Sequence, residues 1–144
     1  MNNTEFKKIV GATLKENHFS YEKKVYYRKS DELIVCIDFQ KSNFSNSYFI
    51  NYGFSLISLN PTESYPKPIT SDVSGRFNYY DMDKVKPEFD LDNLNTEHLI
   101  QSIQENLEKI IDPVFENGLE KYFELNPQAK FVAKLNLKQY LGIE

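Results

Sequence analysis

The sequence contains one cysteine, no tryptophan, two histidines and only five glycines in 144 residues. A single cysteine excludes an internal disulfide framework and is typical of a reducing compartment, so we expect a cytoplasmic location. No apolar stretch approaches the roughly 20 residues of a membrane-spanning helix, and the N-terminus lacks the pattern of a signal peptide. The sequence therefore predicts a soluble protein with no membrane partner.

An excess of basic residues is also missing, because the net charge is −4. Nucleic-acid-binding domains normally present a basic face, so we expect no nucleic-acid partner. Four basic residues cluster at Lys23, Lys24, Arg28 and Lys29. They alternate with apolar residues, which is typical of a solvated strand face.

The chain lacks the phosphate loop, the Rossmann glycine pattern, the nucleophile elbow and the kinase signatures. His18 and His98 have no cysteine or carboxylate at zinc-ligand spacing. The acidic run at 81–92 departs from the EF-hand template at its glycine position. The sequence thus predicts neither a metal nor a cofactor, and no catalytic residue.

Aromatic residues are abundant instead, with ten tyrosines and eleven phenylalanines. The length corresponds to a single domain, 1–144, and such a chain buries about 68–70% of its unfolded surface. Cys36 lies within an apolar run, where a free cysteine commonly acts as a small buried hydrophobe.

The clearest pattern is a β-hairpin within residues 33–59. Residues 33–40 are rich in β-branched and aromatic side chains, and apolar residues alternate with polar ones from position 47 onwards. Symmetrical closure of the polar loop pairs 33–40 with 47–54, so that Ile37 faces Ile50. One face of the hairpin is then apolar, and we expect the other, mixed face to be half exposed to solvent.

The remaining pattern predicts an α+β fold. It comprises an antiparallel sheet of about four strands, with an N-terminal helix and C-terminal helices packed on one face. Asn2 is a candidate N-cap, and Thr96 another. Asp112-Pro113 predicts a new helix start, with Gly118 inside that helix. The expected elements are a helix at 3–16, strands at 19–30 and 69–80, an acidic connector at 81–95, and helices at 96–111, 112–125, 126–135 and 137–141.

Polar side chains on the mixed face and at the hairpin tip form a candidate binding site. Amides, hydroxyls and a cation are groups that fix a small polar or anionic ligand. In the register above, the Cα atoms of Gln40 and Asn51 lie about 13 Å apart, so only a ligand or a residue of a third strand, such as Arg76, bridges them. The alternative is that this face is merely solvated, or is covered by a helix through ordinary hydrogen bonds. Because Ser55 is on the mixed face, we expect Ser55→Asp to be tolerated. The candidate ligand-binding residues are Asp38, Gln40, Lys41, Ser42, Asn51 and Arg76.

Several short motifs are distributed along nearly the whole chain. They are Phe6-Lys7-Lys8, Phe19, Tyr27-Arg28, Gln40-Lys41-Ser42, Ile50-Asn51, Gly75-Arg76-Phe77 and Asp112-Pro113-Val114-Phe115. In these motifs the sequence resembles the bacterial domain-of-unknown-function family 4304 (DUF4304). That resemblance implies a small bacterial α+β protein without an assigned activity, and it carries over no catalytic residue.

Two classes of function remain open from the sequence. The first is a non-enzymatic binding or interaction domain, such as an immunity protein with a toxin-like protein partner. The alternative is a small-ligand-binding protein or an enzyme that uses the polar sheet face. The oligomeric state is not determined by these patterns.

Overall fold

Six antiparallel strands form the sheet of this protein, and helices cover one of its faces. The computed structural model describes residues 1–131 and 133–142. The strands are β1 (Ser20–Glu22), β2 (Val25–Lys29), β3 (Leu33–Lys41), β4 (Ser47–Leu56), β5 (Val73–Arg76), β6 (Tyr79–Asp81), β7 (Lys84–Lys86) and β8 (Phe89–Asp90). The helices are α1 (Asn3–Glu16), α2 (Thr96–Asn106), α3 (Asp112–Asn117), α4 (Leu119–Leu125) and α5 (Leu135–Leu141). The expected α+β class is confirmed.

The sheet has more strands than the sequence predicted. Its order is β1-β2-β3-β4-β5, and β8 pairs with the beginning of β4. The predicted strand at 19–30 is two strands, joined by a two-residue turn at Lys23 and Lys24 that both have positive φ. The acidic connector at 81–95 likewise contains regular structure, because β6 and β7 form a separate hairpin before β8 joins the sheet.

The central hairpin forms with its predicted faces but in a different register. Ile37 lies opposite Tyr52, and Asp38 lies opposite Asn51, so β4 is shifted by two residues from the symmetrical pairing. The turn is correspondingly centred one residue later in the chain, because Lys41 pairs with Tyr48 and the Ser42 N–H donates to the Ser47 carbonyl. A shift of two residues keeps every side chain on its face, whereas a shift of one would reverse them all.

The apolar face of the sheet and all five helices share one hydrophobic core. Its fully buried members include Val35, Ile37, Ile50 and Phe54 from the sheet, and helix residues such as Ile103. Phe39 is on the apolar face of β3, where alternation with Ile37 predicts a core position, but it is only half buried at the margin of the core.

The mixed face is less exposed than expected, because the chain between β4 and β5 folds back over half of it. Ile34 and Cys36 lie in a second apolar cluster, and Ser55 is 2% exposed. At Gly53 this segment comes so close that an added Cβ would lie 3.0 Å from the Pro68 Cα. The expectation that the whole face is half solvated is therefore wrong, and only its Asp38 end stays open.

Two polar residues of α2 attach the chain that leaves β5. Asn106, fully buried, accepts a hydrogen bond from the Asn78 N–H at 2.9 Å and donates to the Asn78 carbonyl at 2.7 Å. The Ser102 hydroxyl accepts from the Tyr80 N–H at 3.1 Å. Side chains of the helix thus satisfy backbone groups that a neighbouring strand would otherwise pair.

The boundaries of the C-terminal helices differ from the prediction. Asn95, not Thr96, caps α2. The helix continues through a π-helical turn at Leu107–Ile111 directly into α3, so Asp112 is helical and is not a cap. We attribute the wider turn to Pro113, whose ring in a regular helix would clash with the carbonyl four residues earlier. Gly118, with φ of 89°, ends α3 and was wrongly placed inside a helix.

Asp112 instead forms an ion pair with the sheet. Its Oδ1 lies 2.8 Å from Nη1 of Arg28, and the Arg28 guanidinium also lies 4.2 Å from the centre of the Phe115 ring. Arg28 therefore joins β2 to α3 and does not belong to a solvated basic face.

A buried pair of tyrosines links the sheet to α4. The hydroxyl oxygens of Tyr52 and Tyr122 are 2.8 Å apart. Burial raises the pKa of both phenols above the ordinary value, and for Tyr52 the neighbouring Tyr122 adds to that rise.

The two faces of the sheet give a mutational prediction. Ile37→Asp places a carboxylate in the core without a partner, so we expect unfolding free energy to fall by at least about 3 kcal/mol. Ser55→Asp should also destabilise strongly, contrary to the expectation for a solvated face, because Ser55 is buried. Urea denaturation measures both changes.

Ser74→Asp is the matched control for these two variants. Ser74 is exposed on β5, and we expect its substitution to change stability by no more than about 0.5 kcal/mol. Equal losses for Ser55→Asp and Ser74→Asp would contradict the coverage of the mixed face.

Candidate ligand-binding site

Four of the six predicted site residues converge at the open end of the mixed face. Asn51 lies opposite Asp38 on β3 and opposite Arg76 on β5. Its amide nitrogen donates to Asp38 Oδ1 at 3.0 Å and to Gln40 Oε1 at 3.2 Å. The predicted separation of Gln40 and Asn51 is therefore wrong, because the true register brings them into direct contact.

Arg76 completes this network from the third strand. Its Nε donates to Asn51 Oδ1 at 3.2 Å, and its Nη2 donates to Gln40 Oε1 at 3.4 Å. The guanidinium carbon lies 3.9 Å from the centre of the Phe49 ring, a geometry typical of a cation–π contact. Arg76 is exposed to solvent. It uses two of its five N–H donors within the network, so three remain for another molecule.

These side chains line a depression of about 540 Å³. Pro68 and Ile69 form its rim on the side of the covering segment, and Ile69 is 89% exposed. Ser74 and Gly75 of β5 form another part of its wall. The depression is therefore a shallow polar floor next to an exposed apolar side chain.

The other two predicted site residues lie outside the depression. Lys41 follows Gln40 and so projects from the opposite face, where its Nζ donates to Asn46 Oδ1 at 2.7 Å and to Asn3 Oδ1 at 3.3 Å. The Ser42 hydroxyl accepts from the Phe44 N–H within the hairpin loop. Because neighbouring residues of a strand point to opposite faces, the sequence alone was sufficient to exclude Lys41 from the face that carries Gln40.

Sequence reasoning did not include Phe49, Ile69 or Ser74 in the site. Phe49 is two residues before Asn51 on β4, so both side chains are on the mixed face. This spacing was sufficient to place Phe49 next to Arg76. Ile69 and Ser74 had no comparable signal, because the path of the covering segment sets the position of Ile69 and the register of β5 sets that of Ser74.

The depression contains groups suited to recognition by charge and hydrogen bonding. It offers a carboxylate, two amides already bonded to each other, and a guanidinium. In the described part of the chain, no group of three or more histidine, cysteine, aspartate or glutamate residues is placed to hold a metal ion. Also among the described residues, no helix has both the length and the apolar character needed to cross a membrane.

Comparison with known proteins identifies the family. The family model described as "Domain of unknown function (DUF4304)" matches residues 10–117, which is most of the chain. The chain belongs to this DUF4304 family. The matched region contains the entire Asp38–Gln40–Asn51–Arg76 network. No curated protein and no solved structure matches the chain.

Cys36 is near this face but is chemically protected. It is fully buried, and burial raises the pKa of its thiol to about 12, although a contact with the Ser71 hydroxyl partly opposes that rise. At pH 8 the folded protein therefore contains almost no thiolate, the reactive form of cysteine.

We predict that a disulfide reagent such as DTNB labels no thiol in the native protein at pH 8 within an hour. In urea the same reagent should label one thiol per chain, because unfolding exposes Cys36 and restores an ordinary pKa. Rapid labelling of the folded protein would contradict the buried position of Cys36.

Proposed function

We propose that this protein is a non-enzymatic binding domain that recognises a carboxylate of its partner at the Arg76 depression. The observation that carries the proposal is the hydrogen-bonded network that joins three strands around Arg76. Asn51 and Gln40 hold the guanidinium in place, and three of its five donors make no hydrogen bond to the described residues. A fixed guanidinium binds a carboxylate through two parallel hydrogen bonds more favourably than a freely rotating one.

A protein partner is favoured by the shape of this surface. The depression is shallow and lies beside the exposed side chain of Ile69. An apolar contact next to a fixed charge is a common arrangement at protein interfaces, where arginine is enriched. The partner group that fits is then an acidic side chain, with apolar surface beside it. An immunity role, with a toxin as the partner, is the more specific form of this proposal and rests on the small size and acidic charge of the chain.

Recognition of a free small molecule is the second candidate. The volume of about 540 Å³ is within the range of roughly 300–1,000 Å³ that small-ligand sites occupy. In that case the bound group is a small anion, and a protein segment is not required.

The direct test observes the side-chain N–H signals of the network by nitrogen-15 NMR. The probe is the capped amino acid N-acetyl-glutamate amide, compared with N-acetyl-glutamine amide at the same ionic strength. We expect the glutamate probe to shift the Arg76 Nε–H and Asn51 amide signals in a saturable way at millimolar concentration, because it presents a carboxylate. The glutamine probe should leave them unchanged.

Arg76→Gln supplies the matched variant for this titration. It should abolish the response, whereas Lys86→Gln, which removes an exposed cation from β7, should retain it. We expect Arg76→Gln to lower the melting temperature by no more than about 4 °C, because Arg76 is exposed and substitutions of surface residues usually change stability little. Equal responses to both probes would overturn the proposal, and a stronger response to inorganic phosphate would favour the small-anion alternative.

A further inference from the structure

A second depression lies across β3 from the first. It has a volume of about 430 Å³ and lies between α1 and the β1–β2 turn. Two of its lining residues, Asp38 and Phe39, also line the Arg76 depression, so the two adjoin. The rest of its lining is basic and aromatic, and consists of Lys7, Tyr21, Lys24 and Tyr26.

The two lysines of this depression have cationic groups that other residues do not neutralise. Neither Lys7 nor Lys24 forms an ion pair with the residues that the structure describes. Lys24 is also held at φ of 69°, a conformation that favours glycine or asparagine. A two-residue hairpin turn requires positive φ at both of its central positions, so this turn fixes Lys24 next to the depression.

Charges alternate along the line that joins the two depressions. Arg76 on β5 lies opposite Asn51 on β4, and Asn51 lies opposite Asp38 on β3. Continuing the β2–β3 register places Val25 of β2 opposite Asp38, and Lys24 directly precedes Val25. Asp38 uses Oδ1 to accept from Asn51, and its Oδ2 accepts no hydrogen bond from the residues described. The surface therefore presents a cation, a carboxylate and a second cationic region in that order.

We propose that this combined surface binds an extended acidic segment of a partner protein, a proposal that rests on the function proposed above. One carboxylate of the segment binds Arg76, and a second binds between Lys7 and Lys24. A basic side chain between them binds Asp38, which lies two of the three strand steps away from Arg76. The Tyr21 and Tyr26 rings, whose centres are 4.7 Å apart, form the wall along the second half of the segment.

The spacing of the strands defines the spacing of the charges in that segment. Neighbouring strands are about 4.8 Å apart, so three steps from β5 to β2 cover about 14 Å. An extended segment rises about 3.4 Å per residue and presents alternate side chains on one side. The two acidic residues are therefore four positions apart, with the basic residue between them at the second position. The matching pattern is Glu-x-Lys-x-Glu.

The test measures fluorescence anisotropy with a labelled, capped peptide, Glu-Ser-Lys-Ser-Glu, whose symmetry makes its direction irrelevant. The control peptide, Glu-Ser-Lys-Ser-Ser-Glu, has the same charge but points its second carboxylate to the opposite side. We expect the first peptide to bind about tenfold more tightly than the second, because only its two carboxylates both reach a cation.

Two turn variants separate a specific contact from a general charge effect. Lys24→Asn removes the cation from the depression, and Lys23→Asn removes one from the neighbouring position, where Nζ lies over the Tyr65 ring at 4.6 Å. Both positions have positive φ, which asparagine tolerates. We expect Lys24→Asn to abolish the preference for the first peptide, and Lys23→Asn to preserve it.

The possible failures are distinguishable. If both peptides shift the Arg76 Nε–H signal but bind equally, or if the two turn variants behave alike, the extended-segment proposal is overturned while the carboxylate site at Arg76 stands. If neither peptide shifts that signal, the proposed function itself is wrong.

Discussion

The pairing of β3 with β4 is the interaction on which the rest of the structure depends. Its register, in which Asp38 lies opposite Asn51, positions both faces of the sheet at once. On one face, the alternating apolar side chains form the surface on which the helices pack. On the other face, the same alternation brings Asp38, Gln40 and Asn51 within hydrogen-bond distance of one another. The register of β3 and β4 therefore determines both the core and the candidate site.

The sequence predicted the faces of this hairpin correctly and its register incorrectly, for the same physical reason. Apolar alternation has a period of two residues, so it distinguishes the two faces but gives the same pattern after a shift of two. The position of the turn must then decide the register. Here Lys41 joins the strand and pairs with Tyr48, so the turn is centred one residue later than symmetrical closure predicts. That choice depends on the conformation of the turn, which composition alone does not specify.

Tertiary contacts explain the other differences. The sequence Asp112-Pro113 is typical of a helix start, but the ion pair with Arg28 and the packing of Ile111 and Val114 favour a continuous helix through a π turn. The segment that covers Ser55 was not predictable either, since its prolines indicate only irregular structure. Of the candidate site, the residues on strands were predicted by alternation and by the neighbouring position of β5. Lys41 and Ser42 were included because they are near in sequence, although they project elsewhere.

The buried tyrosine pair has a consequence in alkaline solution. The phenols of Tyr52 and Tyr122 stay neutral above the ordinary tyrosine pKa of about 10 while the protein is folded, whereas in the unfolded chain they ionise. Unfolding therefore becomes more favourable as pH rises above that value, since the folded state binds more protons. Because the chain has no tryptophan, phenolate absorbance is an unobstructed optical signal. Its delayed component comes from the buried tyrosines whose pKa is raised, Tyr27 as well as Tyr52 and Tyr122, and it reports the opening of the folded structure without any label.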